Sequence, residues 1–268
     1  MPQSTVPAVS AMGIAAGRAI GRHFDTTFRR LVRGPVATHA PAFMRLVTGE
    51  AHPFGNFVIL SNAKDLNTAR SAIEPLLSCP APSAVLLPSM EADSQIDALL
   101  TTSGFVSHGA LPAMAVDIAA LQAPALPDGY EFVRVADGVD GDEWSERFAE
   151  GYELPLGLAR YFSPAMVGAD TSADASTQFF AVRKGGAIVA TSLCCLADGL
   201  AGIYCVSTIP QERRKGLGAC ATAEALRCAA RLGYGVGILQ SSEAGYSVYR
   251  RMGFADFGGV PIYIRMPS

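Results

Sequence analysis

The two halves of this chain carry the same order of predicted secondary structure, and this repetition restricts the fold more than any other feature of the sequence. In each half a strand leads to a helix, a second strand, a second helix, a Gly-Phe pair and a final strand. The spacing agrees as well, since 44 positions separate Leu60 from Gly104 and 45 separate Thr208 from Gly253. Strands that alternate with helices predict an α/β fold with a mixed sheet, built from a tandem duplication of one unit.

A Pro-bearing segment marks the boundary between the two units. Ala119–Gly129 contains two prolines and a Pro-Asp-Gly turn signal. We therefore predict one domain over residues 1–124 and a second over 125–268. In the first, the patterns predict helices over 6–32, 65–78 and 91–102, and strands over 43–47, 56–60 and 84–87 with a final run to 118. In the second, they predict strands over 130–135, 178–183, 187–196, 202–208, 236–240 and 260–265, and helices over 141–151, 217–232 and 243–252.

The composition is typical of a globular protein without a preference for nucleic acid. Apolar residues make up 50% of the chain and charged residues 17%, which excludes disorder and allows a sizeable core. The net charge of −3 gives no electrostatic reason to bind DNA or RNA. Prolines interrupt the most apolar stretch, and the N-terminus lacks the charged region of a signal peptide, so we expect no membrane association. The six cysteines have no metal-type spacing, so we expect no metal and a cytoplasmic protein with reduced thiols.

The segment 202–219, GIYCVSTIPQERRKGLGA, carries the most chemical information. A predicted strand ends near Thr208, and a basic loop leads to glycines at the start of a helix. Glycines let a ligand approach the backbone closely, and the N-terminus of a helix attracts anions. The three cations of the loop suit a pyrophosphate that carries further phosphate charge.

The same glycines also fit G-x-G-x-x-A, the fingerprint of dinucleotide-binding turns. In such a turn the first glycine follows the strand almost directly. Here eight positions separate Thr208 from Gly216, and Pro210 lies between them. We therefore reject the dinucleotide-binding interpretation.

A second motif lies 33 residues after Gly216, where Tyr249, Gly253 and Phe254 have the form Y-x-x-x-G-F. Upstream, R-x-x-G-x-G is matched by Arg213, Gly216 and Gly218, and V-x-x-x-P by Val206 and Pro210. Together these residues resemble the GNAT superfamily of acyl-CoA-dependent N-acetyltransferases. The resemblance is specific over residues 202–254, extends over 130–268, and is architectural only in the first half.

The resemblance implies a cleft for acetyl-CoA between two splayed strands. Backbone groups of Val206 and Thr208 would pair with the pantetheine arm, and amides over 214–219 would hold the pyrophosphate. Tyr249 would protonate the departing CoA thiolate, a role that suits a phenol hydroxyl. Ser242 occupies a position where many relatives carry asparagine. The implied cofactor-binding residues are Val206, Thr208, Arg213, Arg214, Lys215, Gly216, Leu217, Gly218, Ala219 and Ser242.

The sequence does not identify a general base. The strand before the basic loop has no carboxylate, although relatives often carry a glutamate there. All four histidines lie in the first half. The remaining options are loss of the amine proton to solvent and the side chains of Glu150, Glu153, Asp198 and Tyr204.

The first half lacks the glycine-containing basic loop that precedes the helix in the second half. It has no glycine between Gly55 and Gly104, and Leu100 stands where the second half has Tyr249. We therefore predict that it binds no CoA, packs on the second half and shapes the acceptor site. Three histidines are candidates for lining that site, namely His39, His52 and His108. Two further groups bear on it: a helix face typical of a core (Trp144, Phe148 and Tyr152), and an irregular segment over 153–176 (with Tyr161 and Phe162) expected near the acceptor.

These patterns predict an N-acetyltransferase that moves an acetyl group from acetyl-CoA to a primary amine by direct attack, with no metal. Two alternatives stay open. One is an acyltransferase with a different acyl donor or a non-amine acceptor. The other is a non-catalytic CoA-binding or regulatory module, which the missing carboxylate favours and Tyr249 opposes. The sequence does not name the acceptor: a small-molecule amine, an amino acid, a peptide N-terminus and a protein lysine all stay open, and so does the oligomeric state.

Overall fold

A computed structural model describes residues 9–61, 65–89, 93–136, 138–168, 172 and 174–267. The strands are β1 (Ala37–His39), β2 (Phe43–Val47), β3 (Asn56–Leu60), β4 (Ser83–Leu86), β5 (Val106–Asp117), β6 (Tyr130–Val135), β7 (Thr177–Lys184), β8 (Ala187–Ala197), β9 (Leu200–Thr208), β10 (Val236–Gln240) and β11 (Ala255–Arg265). The helices are α1 (Val9–Leu31), α2 (Leu66–Leu77), α3 (Ser94–Thr102), α4 (Val139–Tyr152), α5 (Leu156–Ala159), α6 (Pro164–Val167), α7 (Leu217–Arg231) and α8 (Glu243–Arg251).

All eleven strands of the described chain form one mixed sheet in the order β1-β2-β3-β4-β11-β5-β10-β9-β8-β7-β6. Two pairs in it are parallel, β3 with β4 and β9 with β10, and each pair is bridged by a helix. The other pairs are antiparallel. This arrangement confirms the predicted mixed α/β fold.

The two halves exchange their final strands at the centre of the sheet. β5, from the first half, lies between β10 and β11 of the second half. β11, from the second half, lies between β5 and β4. Each half therefore completes its sheet with a strand of the other. The division after residue 124 stays a prediction about sequence organisation, because the sheet itself runs through it without interruption.

The repeated Gly-Phe pair ends a helix in the same way in both halves. Gly104 and Gly253 have positive φ angles of 83° and 96°, which glycine adopts without strain. The following amides of Phe105 and Phe254 donate to carbonyls five residues earlier, at 3.0 and 3.1 Å. This is the Schellman arrangement, in which an apolar residue after the glycine packs back on the helix. Both phenylalanines are buried, so the motif fixes how each helix leads into its final strand.

The two parallel pairs differ in how far their first strand extends. The last residue of β3 that pairs with β4 is Ile59, and the strand ends one residue later. The last residue of β9 that pairs with β10 is Ile203, and β9 continues for five more residues, to Thr208. β9 and β10 therefore diverge into a fork, which we call the β9/β10 fork.

Helix α1 packs across both halves. Its buried face carries Ile20, Phe24 and Leu31 into the core. A methyl group added to Gly21 would lie 1.8 Å from the carbonyl oxygen of Pro88, so the helix backbone touches the chain just past β4. The helix ends before Gly34, whose φ of 94° breaks the helical path. In this position α1 covers the end of the β3/β4 pair and reaches the β9/β10 fork.

Most predicted elements are present within one to three residues of their predicted bounds. The sequence patterns missed β1, α5 and α6, and they placed the start of β11 five residues late. The first residues of the predicted helices 6–32 and 91–102 lie outside the described residues. Within the described part of the chain, no helix is long and apolar enough to cross a membrane.

Candidate active site

The β9/β10 fork is shaped by a bulge in β9. The pairing of β9 with β8 shifts between Leu193 and Thr191, and Cys205 takes a left-handed conformation with φ of 51°. A bulge bends a strand and re-aims its side chains. Residues 204–208 consequently leave β10 while they stay attached to β8. The fork presents a stretch of strand edge inside the sheet, which is able to pair with the backbone amides of an extended ligand.

Helix α7 begins at the open end of this fork with an uncapped N-terminus. Its N-cap is Gly216, with φ of 78° and no side chain to bond the first backbone N–H groups. The first four N–H groups of a helix have no partner within the helix, and they attract anions. A methyl group on Gly218 would lie 3.5 Å from Val206 and 3.9 Å from Thr208. The structure thus brings Gly218, Val206 and Thr208 together at the uncapped start of α7.

The basic loop is less cationic toward a ligand than its sequence indicates. Arg213 donates to the backbone carbonyls of Gly151 at 2.9 Å and Thr208 at 3.2 Å, which fastens the loop to α4 and β9. Lys215 lies 2.6 Å from Glu212, so its charge is compensated. Within the described residues, nothing pairs with the exposed side chain of Arg214. One of the three predicted cations is therefore available to a ligand.

Glu212 joins the loop to the edge of the sheet. It accepts hydrogen bonds from Lys215, from the Tyr130 hydroxyl and from Lys184. These bonds, that from Lys215 foremost, lower the pKa of Glu212 to about 2. The carboxylate stays ionised at neutral pH, and it holds the loop and two strands together.

Tyr249 lies on α8 at the inner end of the fork. Its ring packs on Phe254 with the ring centroids 5.6 Å apart. Burial raises the pKa of Tyr249 to about 12, so the hydroxyl keeps its proton at neutral pH. Ser242 is the N-cap of the same helix, and its oxygen accepts from the amide of Gly245 at 3.2 Å. Among the described residues, nothing accepts a hydrogen bond from the Ser242 hydroxyl.

A cavity of about 140 Å³ opens from the fork toward the first half. On the fork side it is lined by residues of β9, β10 and α8, including Tyr204, Gln240 and Tyr249. Seven of its eighteen lining residues come from the first half: Phe24, Phe28, Leu31, Phe54, Phe57, Leu86 and Leu111. The first half therefore builds much of the wall opposite Tyr249.

A buried histidine from α1 contacts Tyr204 beside this cavity. His23 Nε2 lies 3.1 Å from the carbonyl oxygen of Cys195, and Nδ1 lies 3.0 Å from the Tyr204 hydroxyl. Because a carbonyl only accepts, Nε2 carries the proton and Nδ1 accepts; the Tyr204 hydroxyl is the nearer donor, and the Thr27 hydroxyl lies 3.3 Å from the same nitrogen. Burial lowers the pKa of His23 to about 4, so the ring is neutral at neutral pH. The Tyr204 side chain lines the cavity, whereas His23 does not.

Gly202 makes room for this pair of side chains. A methyl group at Gly202 would lie 2.3 Å from Cε1 of His23 and 2.7 Å from the Tyr204 ring. Any larger residue would displace one of them. The glycine of the predicted strand is thus explained by a close approach of α1.

The other candidates for a base or for the acceptor site take different positions. Of the four options for a general base, Tyr204 lines the cavity, whereas Glu150, Glu153 and Asp198 do not. The cavity is lined by Phe148 and Tyr152, from the helix face that the sequence assigned to the core, and by Phe162 of the irregular segment. The other residues that the sequence named for this region do not line it, namely His39, His52, His108, Trp144 and Tyr161. His23 is not among the residues that the sequence patterns indicated. Its only signal is that it falls on the apolar face of α1, between Ile20 and Phe24.

Among the described residues, no group of three or more His, Cys, Asp or Glu side chains has the arrangement of a metal site. No protein-family model matches the chain. No curated protein matches it either.

Solved structures match the whole chain. A GCN5-related N-acetyltransferase from Kribbella flavida has a TM-score of 0.65 at 22% identity, over 96% of this chain and 97% of that one. A second, from Sphaerobacter thermophilus, has a TM-score of 0.59 at 17% identity, over 99% and 93%. A tandem GNAT protein from the clavulanic acid biosynthesis pathway has a TM-score of 0.55 at 13% identity, over 97% and 96%. The chain has the fold of the GNAT acetyltransferases, and its single sheet of two similar halves agrees with the predicted tandem arrangement.

Proposed function

We propose that the protein is an N-acetyltransferase that moves an acetyl group from acetyl-CoA to a primary amine by direct attack. The observation that carries the proposal is the place where three features meet: the uncapped start of α7 lies beside Val206 of the β9/β10 fork, and Val206 and Tyr249 line one cavity. Such a reaction needs three features: an anion site, a strand edge that pairs with an amide-bearing chain, and a phenol hydroxyl that keeps its proton. The GNAT fold supports the same conclusion.

Acetyl-CoA would be held along the fork. The backbone amides over 214–219, in the loop and the first turn of α7, and the Arg214 side chain would bind its pyrophosphate. The backbone of β9 at Val206 and Thr208 would pair with its pantetheine arm. When bound, it supplies an acetyl thioester that is activated toward nucleophiles. Arg213, Lys215 and Glu212 would act indirectly, because their bonds keep the loop in place.

Two tyrosines would handle the protons of the reaction. Tyr249 holds a proton and would donate it to sulfur as the carbon–sulfur bond breaks and negative charge develops there. Tyr204 would accept a hydrogen bond from the amine N–H while its own proton stays directed at His23. The amine proton would be released to solvent as the amide bond forms, and Tyr249 would regain a proton from solvent after it has protonated the thiolate, so the transfer is balanced.

The test is the substitution Tyr249→Phe, compared with Tyr246→Phe one turn earlier on the same helix. We expect Tyr249→Phe to lower kcat about 100-fold, within the usual range for loss of a general acid. The acetyl-CoA affinity, measured by isothermal titration, should stay unchanged in both variants. An unchanged kcat in Tyr249→Phe would refute the acid role.

The same titration separates the main alternatives. Binding of one acetyl-CoA per chain with no transfer to any amine would favour the non-catalytic CoA-binding module. Binding of a longer acyl-CoA in preference to acetyl-CoA would favour a different acyl donor. A wild-type protein that binds no acyl-CoA at all would refute both the enzyme and the CoA-binding module.

A further inference from the structure

The chemistry of the cavity restricts what enters it. Six phenylalanines and five leucines are among its eighteen lining residues, and within the described part of the chain none of the lining residues is charged. The cavity volume is about 140 Å³. An apolar protein cavity of about 150 Å³ accommodates benzene. The space is therefore suited to one six-membered ring or an aliphatic group of similar size.

The wall of the cavity is an aromatic cluster centred on Phe28. Its ring centroid lies 4.5 Å from that of Phe24, 5.9 Å from Phe57, 6.1 Å from Phe162 and 6.2 Å from Tyr204. Three of these contacts are edge-to-face, the geometry that aromatic rings prefer. A guest ring that enters the cavity finds the same kind of partners.

Polar atoms are concentrated at one end of the cavity, near the fork. Both polar atoms of the Gln240 side chain are buried, and neither has a hydrogen-bond partner among the described residues. A buried amide without partners lowers stability, and such a group calls for an explanation. Gln240 ends β10 where the strands diverge, and it lines the cavity with Tyr204 and Tyr249. A ligand with a polar group here and an apolar body beyond would satisfy it.

Burial in this cavity also selects the charge state of an amine. A cation in apolar surroundings is disfavoured, so the ammonium form gives way to the neutral, nucleophilic amine. A second charge on the acceptor, such as a carboxylate, would be buried without a counter-charge. The cavity thereby excludes amino acids and favours amines with no other charged group.

We infer that the cavity binds a ring-sized, uncharged apolar group carried by the primary amine, with the amine nitrogen beside Gln240 and Tyr204. This inference rests on the proposed acetyltransferase function, and it names the class of acceptor. The apolar group that fills the cavity could also belong to the acyl group of the thioester. The experiment below distinguishes an apolar group on the amine from one on the acyl group.

The experiment compares three amines with acetyl-CoA: 2-phenylethylamine, ethylamine, which lacks the ring, and phenylalanine, which adds a carboxylate. We expect kcat/KM for 2-phenylethylamine to exceed both others about 100-fold, the ratio that burial of one ring gives. Equal or higher rates with ethylamine or phenylalanine would overturn the inference. If phenylacetyl-CoA reacts with ethylamine faster than acetyl-CoA reacts with 2-phenylethylamine, the cavity binds the acyl group, and the amine assignment is overturned.

A binding measurement keeps the inference testable without turnover. N-(2-phenylethyl)acetamide, the neutral product, is titrated into the protein and compared with N-ethylacetamide. We expect the first to bind about 100-fold more tightly. Equal affinities would overturn the inference even if acetyl-CoA binds and amines react. Failure of acetyl-CoA to bind, with the first acetamide still bound, would refute the proposed function and leave the cavity assignment standing.

Two substitutions change the size of the cavity. Phe28→Leu enlarges it, and we expect the preference to shift about 10-fold toward 2-(2-naphthyl)ethylamine. Leu154→Trp fills it, and we expect the advantage of 2-phenylethylamine over ethylamine to fall about 10-fold. Phe43→Leu is the matched control, because Phe43 is equally apolar but does not line the cavity. Unchanged preferences in both cavity variants, with near-native circular dichroism, would overturn the inference.

Discussion

The two parallel strand pairs of the sheet share the same strand–helix–strand frame, but they differ where the first strand ends and the helix begins. β3 stops one residue after its last pair with β4, whereas β9 runs five residues past its last pair with β10. The helix after β3 is capped by Asp65, whose carboxylate accepts from the amide of Asn67 at 3.0 Å. The helix after β9 is capped by Gly216, which has no side chain. An anion meets a carboxylate in the first half and bare amides in the second.

A third difference is what covers each strand end. In the first half, α1 lies against the chain after β4, through Gly21 and Pro88. In the second half, the fork stays open and leads into the cavity. The position of Tyr249 is taken in the first half by Leu100, which is fully buried. The frame is therefore common to both halves, and the proposed site of the second half differs from the first half in the length of one strand, one helix cap and one side chain.

The largest effect is expected when the second half is given the cap of the first. Gly216→Asp places a carboxylate over the amides at the start of α7. We expect the acetyl-CoA affinity to fall about 1,000-fold, or about 4 kcal/mol, because at least two charge-assisted bonds are lost and a like charge is added. Isothermal titration measures this.

The control for this change is Gly199→Asp. Gly199 has a similar φ of 75° and lies in the turn between β8 and β9, at the other end of β9 from the loop. Gly199→Asp adds the same charge as Gly216→Asp and imposes comparable backbone strain. Equal loss of affinity in both variants would show that strain, not the cap, is responsible.

The second effect concerns the histidine that the first half supplies to the second. His23 has a pKa of about 4 in the folded protein and about 6.5 when unfolded. Between these values the unfolded chain binds a proton that the folded protein does not. Stability is therefore lost as the pH falls from about 6.5 to about 4, by about 3 kcal/mol. His23→Gln should lack this part of the acid dependence.

Urea unfolding at several pH values checks the prediction. The difference in unfolding free energy between wild type and His23→Gln isolates the contribution of this histidine from all other groups. The control is His108→Gln, since His108 is exposed. A wild type and His23→Gln whose stabilities run parallel from pH 7 to 4 would contradict a buried neutral His23.

The third effect follows from the close approach of α1 to β9. In Gly202→Ala the added methyl overlaps His23 and Tyr204. We expect kcat to fall about 30-fold, or about 2 kcal/mol, with the acetyl-CoA affinity kept. Gly237→Ala is the control, because the atoms nearest to its added methyl, at 2.8 Å, belong to the Leu226 side chain and not to His23 or Tyr204. A parallel loss of acetyl-CoA affinity would mean that the fork itself had moved.

The smallest effect is expected when the cap of the first half is removed. Asp65→Ala frees the amides at the start of α2, and the unfolding midpoint should fall by roughly 2 °C. The stoichiometry should stay at one acetyl-CoA per chain, because β3 is short and α1 covers the strand end. A second binding site in this variant would show that the cap alone had closed the first half.

Local signals in the sequence predicted the frame well. The strand and helix patterns and the Gly-Phe pair are local, and the Schellman geometry at Gly104 and Gly253 explains why that pair repeats. The spacing from Gly216 to Tyr249 likewise depends on one strand and two helices that the pattern identifies. Such features follow from neighbours in the chain, so a single sequence reveals them.

What the sequence did not reveal depends on distant partners. The exchange of β5 and β11 is invisible, because an apolar strand has the same pattern beside either neighbour. His23 and Tyr204 are 181 positions apart, so no spacing relates them. The basic loop was counted as three cations, but side-chain geometry assigns Lys215 to Glu212.

The strand exchange has a consequence for how the protein is made. β4 ends at Leu86, and its neighbour β11 begins at Ala255. On the ribosome, the first half is synthesised long before the strand that shields this edge, and exposed edges invite aggregation. The edge of β4 in the nascent first half stays unpaired until β11 has been synthesised. We therefore expect the need for chaperones to increase with the time that translation takes to reach β11.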